Sequence, residues 1–220
     1  MPMSAKVHRT SSTPHLGFNL AAITMIAALG ALAVAYGIDA VGHHGGKAPA
    51  EGTRYVRNIS GHTLTIPADW LRFGDKDEEG FASQVDLALH LPLGEGGKPV
   101  AVDVTLVPRS RARASADLLD GVYLHLFMPN EVVGAPGLVG KPLYPRDGFE
   151  GETVWYDPLS GDPFVAKCMD AADGGQAQCL RTVVLSSGIG AIYSFSAEAL
   201  AAWRDFDTAL AAPLKAIGAL

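Results

Sequence analysis

FASQVDLALHLPLGEGGKPVAVDVTLV, residues 81–107, holds two runs of alternating hydropathy on either side of a loop rich in glycine and proline. In the first run Val85, Leu87, Leu89 and Leu91 alternate with Asp86, Ala88 and His90. In the second, Val100, Val102, Val104 and Leu106 alternate with Ala101, Asp103 and Thr105. Successive side chains of a strand point to opposite faces, so each run gives one apolar and one polar face. Two such strands across a short glycine-rich loop form an antiparallel hairpin. An antiparallel sheet with one face on a core is therefore the organising element.

The same reading extends outward. β-type patterning begins at Tyr55. HTLTIPADW, residues 62–70, places Leu64 and Ile66 inward and Thr63 and Thr65 outward, and Pro67 ends that strand. SADLLDGVYLHLFM, residues 115–128, repeats Leu118, Leu119, Val122 and Leu126 at helical spacing, with Ser115 as N-cap and Pro129 as the stop. Gly121 weakens this helix by about 1 kcal/mol relative to alanine. Residues 129–145 read as loop or irregular strand. Strands are expected at 151–157, 163–170, 178–186 and 191–196. The chain closes with an amphipathic helix over 197–217, carried by Leu200, Trp203, Phe206, Leu210, Leu214 and Ile217. Pro213 should bend or divide it, and Trp203 should pack it on the sheet. The expected fold is α+β: an antiparallel sheet packed by an internal and a C-terminal helix, preceded by one N-terminal transmembrane helix.

That membrane helix is residues 16–38, LGFNLAAITMIAALGALAVAYGI, which carry no charge and match the length of a bilayer span. Lys6 and Arg9 precede it, so the positive-inside rule keeps residues 1–15 cytoplasmic and exports the remainder. A signal peptide cleaved after Ala33-Val34-Ala35 is the competing reading; both export residues from about 40 onward. Small residues at 28, 30, 31, 33 and 35 would permit close helix packing, though a lipid-facing anchor accounts for them as well. Residues 39–54, with Gly42, His43, His44, Gly45 and Gly46, read as a flexible tether to a globular domain over 55–220. The implied location is a bacterial inner membrane with the domain in the periplasm.

Cys168 and Cys179 are the only cysteines of the 220 residues. Alone they cannot complete a four-ligand zinc site, and their spacing is not that of a Cys-x-x-Cys redox pair. In an oxidising compartment, at the facing ends of two adjacent strands, they read as a disulfide across a hairpin.

Net charge is −6, which argues against nucleic acid as a partner. Nucleophile elbow, zinc-binding His-Glu-x-x-His helix, phosphate loop and dinucleotide fingerprint are all absent from the sequence, and no cofactor or metal is called for. Two polar groups remain as candidates. Asp86, His90 and Asp103 fall on the outer face of the first hairpin, where a trio of this type would bind a metal or move a proton; the plainer reading is a solvated sheet face. Arg109, Arg111 and Arg113, in PRSRARAS, would hold anionic head groups or an acidic partner; the plainer reading is a solvated connection. His62 and His125 stand apart, and Trp70, Trp155, Trp203, Tyr156, Tyr193 and Phe195 read as core.

The stretch TLTIPADW, followed by a hairpin, a helix, an antiparallel run and a closing helix, resembles PsbP-like domains over residues 55–217. The disulfide hairpin and the proline-rich residues 129–145 depart from that pattern. The resemblance implies assembly or accessory roles and carries over no site residue. The expected function is thus an accessory or scaffolding subunit of an envelope complex, with a protein partner. A periplasmic small-ligand-binding or sensor domain, with its pocket between sheet and closing helix, and an envelope hydrolase or metal-dependent enzyme using Asp86, His90 and Asp103 are the alternatives.

Overall fold

Strand β1 (Arg54–Ile59) returns as β2 (His62–Pro67) through Ser60 and Gly61, both at positive φ, 53° and 87°. Two such residues in succession match the right-handed twist of the strands they join. A computed structural model of the chain describes residues 52–72, 80–171 and 174–220. The expected membrane span at 16–38 and most of the tether, including His43 and His44, lie outside the described residues. Among the described residues, no helix is long and apolar enough to cross a membrane.

A short β3 (Gly80–Phe81) runs parallel to β1 and completes a three-stranded sheet, β2-β1-β3. The larger sheet contains β4 (Val85–Leu91), β5 (Val100–Pro108), β6 (Val139–Pro142), β7 (Glu152–Tyr156), β8 (Val165–Met169), β9 (Gln178–Val184) and β10 (Ile189–Ser196). Its order is β4-β5-β10-β9-β8-β7-β6, and every neighbouring pair is antiparallel. The expected opening hairpin is formed, with Leu87 opposite Val104 and Ala88 opposite Asp103. Its free edge is covered by residues 70–72: the Ala88 N–H donates to the Trp70 carbonyl (2.8 Å) and the Arg72 N–H to the Asp86 carbonyl (2.9 Å). Covered edges resist pairing with foreign strands.

Two helices, α1 (Ser115–Gly121) and α2 (Trp203–Ile217), take opposite faces of the sheet. On one face the inward residues of β4, β5 and β10 join Ile59, Leu64 and Ile66 of the small sheet and the α2 stripe Phe206, Leu210, Leu214 and Ile217. Phe206 is fully buried at the centre, with ring centroids 4.5 Å from Phe195 and 5.9 Å from both Phe164 and Tyr193. On the other face α1 and the turn after it cover β7 and β8 through Leu119, Tyr123, Leu143, Val154 and Val165.

Four local expectations are revised. The internal helix ends at Gly121 instead of Met128, because Val122 leaves helical geometry (φ −137°, ψ −59°); residues Tyr123–His125 form a 3-10 turn. Ser115 is not the N-cap: Ala114 holds that position, and Ser115 is buried. Strand β10 begins at Ile189, two residues before its expected start at 191, whereas residues 129–145, read as loop or irregular strand, contribute β6 and the bridges Val132–Gly140 and Phe127–Leu143. Finally, α2 runs unbroken through Pro213. Proline removes one backbone donor, but the apolar stripe anchors this helix to the sheet on both sides of that position, and tertiary packing outweighs propensity. Ahead of it, Ala197–Ala202 form a 3-10 segment. Phe206 seats the helix, and Trp203, half-buried at its start, packs against the same core with its ring 5.7 Å from Phe164 and donates from Nε1 to the Pro136 carbonyl (3.0 Å).

Candidate functional site, a cleft where the sheet splits

The disulfide of Cys168 and Cys179 is formed, with the two residues directly opposite each other on β8 and β9. Their Cα atoms lie 3.9 Å apart, as suits the closer, non-hydrogen-bonded type of antiparallel pair. The flanking pairs Lys167–Leu180 and Met169–Gln178 therefore carry the ladder bonds.

The next bonded pair would join Thr182 to Val165, but the β8–β9 pairing ends at Lys167–Leu180. Side chains take over the two groups of one of its bonds. The Thr182 N–H donates to Ser115 Oγ (2.9 Å), and the Val165 carbonyl accepts from Arg181 Nη1 (3.3 Å). Here Ser115, which reads as a helix cap in sequence, serves as a substitute strand. Beyond this point β8 and β9 diverge, and the gap opens into a cleft of about 490 Å³. Its walls come from β9, the start of α1, Asp162 and Pro163 before β8, and Ala211 and Leu214 of α2.

The floor of the cleft is polar and ordered. Arg181 is 7% exposed, a consequence of strand parity: Cys179 faces the core, so residue 181 must too. Its guanidinium binds Asp207 of α2 at two points, Nη2 to Oδ2 (2.7 Å) and Nε to Oδ1 (3.3 Å), and lies 4.5 Å from the centroid of Phe164. Tyr193, opposite Arg181 on β10, is 2% exposed and lines the same cleft. Burial, reinforced by the Asp207 carboxylate and opposed by Arg181, pushes its hydroxyl well above the usual phenol range. It remains a neutral hydrogen-bonding group at any physiological pH.

The candidates read from sequence are placed as follows. Asp86, His90 and Asp103 share the outward face of β4 and β5. Asp86 and His90 are four residues apart along one strand, about 13 Å at 3.3 Å per residue, so the trio does not converge. Asp86 accepts from Thr105 Oγ1 (2.6 Å) and Gln84 Nε2 (2.8 Å), Asp103 pairs with Arg72, and His90 is exposed. No group of three His, Cys, Asp or Glu among the described residues is arranged to hold a metal ion. Arg109, Arg111 and Arg113 are exposed and diverge. Arg109 borders the cleft, Arg111 donates to the Ser83 carbonyl (3.0 Å), and Arg113 lies beside Gly121.

A second, more apolar cleft of about 540 Å³ lies near the disulfide, between residues 132–136, Trp155, Cys168 and Leu200. Gly134 and Gly140 face the ring of Trp155 here; a Cβ at either would come within 2.7 Å of ring carbons.

No protein family, curated protein or solved structure matches the chain.

Proposed function

We propose that this protein is a non-enzymatic accessory subunit of a bacterial envelope complex. Residues 16–38 anchor it in the inner membrane with the N-terminus cytoplasmic, and the domain binds a protein partner in the periplasm. The observation that carries this reading is the cleft at the split between β8 and β9. Its polar groups are set for binding: a neutral tyrosine hydroxyl, and a guanidinium already fixed by a carboxylate and a main-chain carbonyl. The disulfide supports an exported, oxidising location, and the uncharged 23-residue run supports the anchor.

The test is purification of the full chain from membranes of its source in mild detergent, beside an Ala211→Trp variant that fills the cleft from an exposed position on α2. A stoichiometric partner held by the natural chain and lost from the variant is the expected result. Recovery of the natural chain alone would contradict the proposal. A small-ligand sensor is the second reading, favoured by the position of the cleft between β9 and α2 and by its volume, which suits a small ligand. Native mass spectrometry of the purified chain separates the two: a retained small molecule instead of a partner supports the sensor.

A further inference from the structure

We propose that the cleft takes an extended polypeptide segment of the partner, which adds as a short strand beside Val184 and carries a basic side chain. This rests on the reading of the cleft as the binding site. The main-chain parity of β9 carries it. The Leu185 N–H donates to the Ile189 carbonyl inside the β9–β10 turn, so odd-numbered residues of this stretch bond to β10. Even-numbered residues point the other way, as the Thr182 N–H shows by reaching Ser115. Val184 therefore directs its N–H and its carbonyl into the cleft, and Thr182 its carbonyl. None of the three has a hydrogen-bond partner among the described residues.

A row of acceptor, donor and acceptor at strand spacing is the pattern that the main chain of an added strand satisfies. Such an edge is ordinarily covered. Tyr193 gives an independent observation: it is 2% exposed and lines the cleft, and its hydroxyl makes no hydrogen bond among the described residues. Leu214, Leu220 and Pro163 supply apolar wall for the side chains of the added segment. The charge of the lining favours a cation. Asp207 is held by Arg181, which leaves Asp117 and Asp162 against Arg109.

The experiment uses the full chain in detergent micelles with its disulfide intact, selecting from a phage-displayed library of random dodecapeptides. Enrichment of peptides containing lysine or arginine is expected. Their binding should fall at least tenfold with Ala211→Trp and with Val184→Pro, which removes the outward-facing N–H and none of the N–H groups that bond to β10. N-methylation along a selected peptide should weaken binding at alternate residues only. If Val184→Pro does not fold, the Ala211→Trp variant and the N-methyl scan decide. No enrichment, binding indifferent to Ala211→Trp, or tolerance of N-methylation at both parities would overturn the proposal. A dimer in light scattering that Ala211→Trp dissolves would overturn it in favour of a second copy as occupant. Failure here alongside a co-purified partner that Ala211→Trp releases would leave the accessory reading intact; absence of any partner would remove both.

Discussion

Ser115 shows how one hydroxyl holds two elements together. It lies at the first turn of α1, yet its oxygen accepts from the main chain of β9, and the side chain is buried. Ser115→Ala would leave the Thr182 N–H without this partner, at a cost of about 1–3 kcal/mol. Amide exchange at Thr182 should accelerate most, whereas loss of a helix cap would show first at the amides that begin α1. Tyr193 gives a pH-dependent counterpart. Its folded pKa is raised above the ordinary 10.0 by burial. The stability it contributes is therefore fully present below pH 10 and is lost as pH climbs toward the folded value, at up to about 1.4 kcal/mol per unit. Tyr193→Phe should flatten the alkaline limb of a stability-against-pH curve measured by urea unfolding. Phe206 is among the largest fully buried side chains: Phe206→Ala should cost about 3–5 kcal/mol, read from the same unfolding curves.

Among the elements, those with clean period-two patterning were legible from sequence. The hairpin of β4 and β5 is formed, β7, β8 and β9 fall inside the expected ranges, and β10 starts at Ile189, two residues before its expected start at 191. The facing cysteines could be read because a hairpin loop brings strand ends together. The break in the β8–β9 ladder could not, because pairing register is a property of two strands and their neighbours, and Ser115 reaches Thr182 from 67 positions away. The inward parity of Arg181 was a usable signal once Cys179 was assigned to the core face. Helix ends were misread where local preference met packing, as at Gly121 and Pro213. Two stability predictions belong to this scale. Replacing both Cys168 and Cys179 by alanine should cost about 3 kcal/mol, the chain-entropy value for closing a loop of this size, and a reductant should reproduce that loss on the natural chain. Gly140→Ala places a methyl within 2.7 Å of the Trp155 ring. It sits in β6, bonded on both sides, so overpacking of about 1–3 kcal/mol and altered Trp155 fluorescence are expected.

At the scale of the whole molecule, the described domain carries a split sheet, and the proposed function places that domain outside a membrane in which residues 16–38 anchor it. Asp86 and Asp103 have partners of their own on a solvated sheet face where His90 is exposed, and Tyr193, which reads as core in the sequence, joins Arg181 and Thr182 at the split. The central claim is that this split is where the partner is held. Site-specific photocrosslinking in the native membrane tests it most directly, with the reactive side chain placed at position 211 on the cleft wall or at position 90 on the outward face of β4. One stoichiometric adduct from position 211, with none from position 90, is the result the account predicts. The same adducts from both positions, or none from position 211, would contradict it.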